Sequence, residues 1–397
     1  MCEFFETLRR LLMASQSKMK FITVNVFSKL MSLLARFVPV KKNRIMMYSY
    51  TGEQYSCCPK AISEYLQEFE PEKFEIIWAF RKNAVISEKP KNVKIVTYQS
   101  LKFSYLYASS RFIITNVYPY QMLKTKSNQI LIDTWHGGGA YKVAGFDTTK
   151  NIDEITRKTM EYNKDNITLF LSSSEQFSNH FIRGGMHYKG EILNSGLPRN
   201  DLFFLPSEHL KRIREKTCRK LNIDPTKKIC LYAPTWRGKE EPEKLEFDVR
   251  ALQNALEQRF GGTWQIVSRM HRLTKNKLRG NVVDACDYPD MQELLISADF
   301  LISDYSSAIW DYCLMKKPCI LYTYDMETYL NNERRMYIPM EKWGFPICKS
   351  FDEVLSVINA IDEKEFHKRM QYHYDLLGGY DNGTACKQVA EYLRSHI

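Results

Sequence analysis

The residues able to do chemistry in this 397-residue chain fall in five short clusters. In "DTWHGGG", residues 133–139, His136 stands before Gly137, Gly138 and Gly139. An imidazole with an unperturbed pKa of about 6.5 can take a proton from an attacking hydroxyl at neutral pH. Three glycines would let backbone N–H groups approach phosphate oxygens closely. A tight strand-to-helix turn carrying a structural histidine explains the same residues. An esterase-type oxyanion hole also uses His-Gly-Gly-Gly, but it requires a G-x-S-x-G nucleophile elbow, and the sequence contains none.

The other clusters favour anions. "GLPRND", 196–201, holds Arg199, suited either to bidentate phosphate binding or to a salt bridge, with Asn200 and Asp201 as candidate caps. "YAPTWRG", 232–238, offers backbone groups around Pro234 and Thr235 to hold a base and Arg237 to reach a diphosphate. An ordinary surface loop fits that stretch equally. "SRMHR", 268–272, gathers Arg269, His271 and Arg272 at one point, a costly arrangement unless an anion or water solvates them. In "SDYSSAIWD", 303–311, Ser306 and Ser307 open a helix whose N–H groups attract phosphate. Asp311, a turn further on, could accept a ribose hydroxyl, and Asp304 could orient neighbours or cap.

Each cluster stands directly behind a short apolar run: "QILI", "EIL", "CLY", "QIV" and "DFLI". Further runs, "RIMMYSY", "FEIIWAF", "VKIVTY", "RFIITN", "ITLFL", "NVVDACDY" and "KKPCILYTY", alternate with helical stretches such as "KAISEYLQEF", and the polar helix "FDEVLSVINAIDEKEFHKRMQYHY", 351–374, is expected near the end. Continuous apolar strands with helices between them predict parallel sheets covered on both faces. Ligands of such sheets bind beyond the carboxyl ends of the strands, so the five clusters would face one cleft. The expected organisation is α/β, with two Rossmann-like units over 44–197 and 198–397 and a cleft between them.

Composition sets the boundaries. With 44% apolar and 26% charged residues the chain is globular, and its net charge of +11 favours anionic partners. Ten cysteines show no C-x-x-C pair or metal-ligand spacing, a pattern of buried thiols in a reducing compartment; no metal site is expected. From Thr7 to Gly52 there is no acidic residue, while Lys29, Arg36, Lys41, Lys42 and others alternate with apolar runs. Lys29 and Arg36 interrupt the longest run, at about 2.5–3.5 kcal/mol each in a bilayer centre. Residues 1–43 therefore read as a basic amphipathic segment lying on an anionic membrane surface, against a basic helix packed on the protein's own core.

The ordered set "WHGGG", "GLPRND", "APTWRG", "RMH" and "LISADFLISDYSSAIWDYCLMKKPCILYTYDMETY" resembles the CDP-glycerol glycerophosphotransferase family of teichoic-acid primases and polymerases, over roughly residues 44–380. The resemblance implies a GT-B architecture with the nucleotide in the C-terminal unit and peripheral attachment to the cytoplasmic face of the membrane. It implies His136 as the catalytic base and His271 as the group stabilising the diphosphate as CMP leaves. Trp135, Gly137, Gly138, Gly139, Arg199, Pro234, Thr235, Arg269, Met270, Ser306, Ser307 and Asp311 would contact the CDP-activated donor. The donor would be CDP-glycerol or CDP-ribitol, and the acceptor a hydroxyl of a lipid-linked polymer, without nucleic acid. A divalent cation riding on the donor diphosphate stays open. Gly138 and Gly139 replace the family's frequent Thr-Pro, and Arg272 replaces its frequent Pro. Two other readings stand beside this one: a GT-B glycosyltransferase using a nucleotide sugar, and a non-catalytic basic protein binding membranes or nucleic acid.

Overall fold

A computed structural model describes residues 28–397 apart from 87, 89, 118, 121–122, 149–153, 238–244 and 271–276. The proposed membrane segment falls largely outside the described residues, and His271, Arg272 and Gly238 fall wholly outside them.

Helix α1 occupies described residues 28–35. The first sheet follows: β1 (Lys41–Tyr48), helix α2 (Cys57–Phe69), β2 (Glu75–Phe80), β3 (Lys94–Thr97), helix α3 (Leu101–Ser109), β4 (Ser110–Thr115), β5 (Ile130–Asp133), helix α4 (Glu154–Asn166), β6 (Leu169–Leu171), a π-helix (Phe177–Gly185) and β7 (Glu191–Leu193). Its strands run parallel in the order β3-β2-β1-β4-β5-β6-β7. A 3-10 turn (Pro198–Phe204) and α5 (Ser207–Leu221) lead to the second series. This comprises β8 (Lys228–Tyr232), α6 (Val249–Phe260), β9 (Trp264–Ser268), β10 (Val282–Asp284), α7 (Met291–Ser297), β11 (Phe300–Ser303), α8 (Ala308–Cys313), β12 (Cys319–Tyr322), α9 (Met326–Asn332) and β13 (Ile347–Cys348). Those strands are again all parallel, ordered β10-β9-β8-β11-β12-β13. Three helices close the chain: α10 (Phe351–Ala360), α11 (Glu363–Leu376) and α12 (Ala385–Ser395).

The apolar runs are continuous because both strand faces are covered. In β1, Ile45 and Met47 enter one core with Ile62 and Leu66 of α2, while Met46 and Tyr48 enter the other with Phe103 and Phe177. The first core is completed from far along the chain: Val389, Ala390 and Leu393 of α12 pack there. Asp201 accepts bonds from the Ala385 and Cys386 N–H groups at 3.0 and 2.7 Å, so a carboxylate just after the first sheet caps the last helix. The expected long helical stretch over 351–374 is two helices. Asp362 accepts from the Lys364 and Glu365 N–H groups, which starts a new helix where one would otherwise continue.

In each sheet the winding direction reverses beside the strand that begins it, between β1 and β4 and between β8 and β11. Crevices at such points are where doubly wound sheets bind ligands. The two sheets meet with these ends facing each other. Lys60 of α2 pairs with Asp290 before α7 at 2.7 Å, and Tyr141 reaches His373 Nε2 at 2.6 Å. This is the GT-B arrangement the sequence predicts.

Candidate active site

A cavity of about 470 Å³ lies between the two sets of strand ends. Of the sequence-predicted residues it brings together His136, Arg199, Pro234, Arg269, Met270, Ser306, Ser307 and Asp311. A second cavity of about 190 Å³ is lined by Trp135, His136, Gly137, Gly138 and Ser307. His136 and Ser307 are thus walls of both.

His136 is positioned by two backbone features. Asp133 ends β5 and accepts from the Trp135 N–H at 2.8 Å, with Trp135 in the left-handed region at φ 52°. Burial pushes the Asp133 carboxyl up to about 8, against that hydrogen bond. The imidazole then stacks on Trp135, with ring centroids 4.5 Å apart, and its Nδ1 lies 2.8 Å from the Asn116 carbonyl at the end of β4. A carbonyl can only accept, so Nδ1 carries the proton and Nε2 keeps its lone pair. Burial lowers the His136 pKa below its ordinary value, opposed by the Asn116 hydrogen bond and the neighbouring Cys57, so the ring is neutral at pH 7. Neutral, with Nε2 free of any partner among the described residues, the ring keeps an unshared lone pair at the wall of both cavities.

The glycines serve packing as much as access. A side chain on Gly138 would begin 2.0 Å from Cδ1 of Trp310 in α8, and one on Gly137 would begin 3.1 Å from Ser307 Oγ. Gly139 has φ +74° and lies against the Tyr141 ring, in neither cavity lining. The loop after β5 is therefore pressed directly onto α8 of the opposite unit.

The five charged candidates divide into committed and uncommitted groups. Arg199 is buried; it donates to Asp311 Oδ2 at 2.8 Å and to the His136 carbonyl at 2.7 Å. Burial opposes its charge, but Asp311 beside it raises its pKa well above the ordinary value. Asp311 also accepts from Asn200 at 3.0 Å and from Gln292 at 3.0 Å, so its oxygens are occupied by the protein. Arg237 is held by Asp304 at 2.7 Å and by Asp325 at 2.6 Å, and Asp304 additionally takes the Thr235 N–H at 2.9 Å. These three lie behind the cavity wall and brace the loop after β8. Arg269 differs. Its guanidinium has no carboxylate within ion-pair distance among the described residues, its Nη1 has no hydrogen-bond partner, and burial lowers its pKa. It stands at the end of β9, facing the larger cavity as a cation without an anion.

Helix α8 is only six residues long, and Ser307 makes no side-chain cap; Ser306 Oγ accepts from the Ala308 N–H at 3.3 Å. Both hydroxyls remain at the cavity wall. Sequence reasoning missed Tyr50, Asn116 and Cys57, although "RFIITN" ends in Asn116 and the strand-end rule applied to it equally. Cys57 starts α2 beside Arg199 Nη1 at 3.3 Å; burial opposes ionisation, but hydrogen bonding from Cys58 and the Arg199 charge lower its pKa well below that of a free thiol. Among the described residues no group of three potential metal ligands occurs.

Two parallel Rossmann-type sheets with a neutral imidazole and an unpaired cation in the cleft between them match the GT-B class of transferases. The chain belongs to the CDP-glycerol:poly(glycerophosphate) glycerophosphotransferase family, whose model matches residues 30–395. It is 28% identical over 402 residues to the teichoic acid poly(glycerol phosphate) polymerase of Bacillus spizizenii, covering 96% of this chain and 100% of that one. It is 28% identical over 372 residues to the teichoic acid glycerol-phosphate transferase of Staphylococcus aureus, covering 88% and 92%. The Bacillus subtilis polymerase, 26% identical over 94% of this chain, is matched over only 51% of its own length. Among solved structures, a histidine variant of the wall teichoic acid polymerase TagF soaked with CDPG superposes with a TM-score of 0.81 at 26% identity, covering 96% and 97% of the two chains.

Proposed function

We propose that this chain transfers glycerol phosphate from CDP-glycerol to a hydroxyl of a lipid-linked polymer, releasing CMP. The observation that carries the reading is His136: a neutral imidazole with Nδ1 tied to Asn116, standing between a nucleotide-sized cavity and a smaller one. The acceptor hydroxyl enters from the smaller side and gives its proton to Nε2. Its oxygen forms a bond to the β-phosphorus, the bridging P–O bond breaks, and CMP departs with the electron pair. Arg269, Ser306 and Ser307 meet the charge that develops on the diphosphate, and His271 joins them by its place in the motif. Arg199, Asp311, Arg237 and Asp304 hold the loops that carry those groups. Residues 44–197 with the returning α12 act as the acceptor half, and 198–384 as the donor half.

The relatives supply the donor class, including one ribitol-phosphate primase, 24% identical over 95% of this chain. We favour glycerol because the matches named for glycerol phosphate are the more similar. Membrane docking is supported by α1 and the residues just after it. Leu30, Leu33 and Leu34 are exposed between Lys29 and Arg36, Phe37 just after Arg36 is 83% exposed, and no described helix is long and apolar enough to cross a bilayer.

The deciding experiment incubates the protein with CDP-glycerol, CDP-ribitol or UDP-sugars and a lipid-linked acceptor and measures the nucleotide released. CMP from CDP-glycerol is expected; release of UMP or UDP alone would sink the proposal.

A further inference from the structure

The smaller cavity has an electrostatic character of its own. Its lining includes Lys142 and Arg334 and no acidic residue among the described ones. Lys142 forms no ion pair among the described residues; its ammonium touches Thr235 Oγ1 at 3.4 Å and lies 5.7 Å from the Tyr329 ring centre. Arg334 likewise forms no ion pair among the described residues, in contrast to Arg199 and Arg237, which are each locked to carboxylates. The two cations come from opposite halves but are held in register. Lys142 bridges Met336 in antiparallel fashion, the Val143 N–H bonds Arg335 O at 2.9 Å, and the Tyr337 N–H bonds Tyr141 O at 2.9 Å. Burial lowers the Lys142 pKa to about 8, so it is still cationic at neutral pH and has lost much of its hydration. A desolvated cation without a partner is costly, and an anion in the cavity offsets that cost. Opposite the charges, Trp135, Phe177 and Phe181 give an apolar wall.

We propose that Lys142 and Arg334 form an anion subsite that holds the phosphate ester of the acceptor's terminal unit, the unit whose hydroxyl is presented to His136. This rests on the transferase reading. If each transfer leaves a glyceryl phosphate at the growing end, the next attacking hydroxyl is always separated from a phosphate by the glyceryl carbons alone. An apolar wall for those carbons and a cation pair for the phosphate would select that end over an uncharged alcohol and fix its hydroxyl on the base.

The test uses the full chain with CDP bound to fill the larger cavity. Binding of sn-glycerol 3-phosphate, with glycerol as the uncharged control, is read from tryptophan fluorescence, since Trp135 walls the cavity. Soluble di(glycerol phosphate) and micelles of a short-chain phosphatidylglycerol separate a polymer end from a lipid headgroup as the source. Lys142→Met is expected to weaken binding of the phosphate ester at least tenfold, Arg334→Gln less, and Lys142→Arg to restore most of it, with CDP affinity unchanged throughout. In turnover, Lys142→Met should raise KM for a glycerol-phosphate-ended acceptor and leave KM for the donor alone. Equal binding by wild type and Lys142→Met, or an equal rise in both KM values, overturns the subsite. Absence of CMP release by the wild type, with Lys142-dependent phosphate-ester binding intact, would overturn the donor reading and leave the subsite standing.

Discussion

The chemistry rests on a contrast between residues that are satisfied and residues that are not. Arg199 is paired with Asp311 and Arg237 with Asp304, whereas Arg269 has no carboxylate partner and the Nε2 of His136 no hydrogen-bond partner among the described residues, and both line the larger cavity. His136→Ala is expected to lower kcat by about 10²–10⁴-fold, the usual worth of a positioned general base, with CDP-glycerol affinity measured by titration unchanged. The pH dependence has a definite sign. Burial disfavours the charged imidazole and its pKa falls below 6.5, although Asn116 and Cys57 oppose this while Arg199 and Arg334 add to it. The base form therefore predominates at neutral pH, and the acidic limb of kcat/KM should be centred below 6.5; a limb centred above that value would contradict the assignment. Arg269→Gln should lower kcat/KM for the donor by roughly 10²–10³-fold, the loss seen when one preorganised charge-stabilising donor is removed.

At the scale of elements, the loop after β5 and helix α8 form one unit although they belong to opposite sheets. Gly138→Ala drives a methyl into Trp310, and overpacking of this kind costs about 1–3 kcal/mol. The expected result is a lowered denaturation midpoint together with reduced activity, because the displaced loop carries His136. All seven strands of the first sheet and five of the six in the second were legible as apolar runs; the central ones are covered on both faces, while the edge strands β3, β7 and β10 are only partly covered. The two-residue β13 was not, being too short to carry a pattern. The anion-suited strand ends were legible too, but which cations were free was not: the partners of Arg199 and Arg237 lie 112 and 88 positions away. Nor could the sequence tell that Gly138 answers to Trp310, a contact made only when the halves meet.

At the scale of the whole molecule, the base, the unpaired cation and the second cavity all lie on the seam between the halves, while the exposed apolar residues of α1 and Phe37 lie on the acceptor half. Met31 and Val38 pack against the core of that half, so a docked α1 and the acceptor side of the cleft would move as one body. Replacing Leu33 and Phe37 by serine is expected to weaken binding to anionic vesicles by at least tenfold while leaving CDP-glycerol hydrolysis or transfer to a soluble acceptor intact; undiminished vesicle binding would dispose of the anchor.

The return of α12 to the first sheet has a consequence for synthesis. The core that contains Ile45 and Met47 is closed by Val389, Ala390 and Leu393, and the cap on that helix is Asp201. The acceptor half therefore cannot bury its own floor while it is emerging from the ribosome; it waits until the donor half has been made and the last helix arrives. The order in which the chain is translated and the order in which its halves become complete run opposite to each other, so the donor half, whose core runs from Leu197 to Leu377 with only Cys57, Cys58 and Tyr141 added from the first half, is free to fold first.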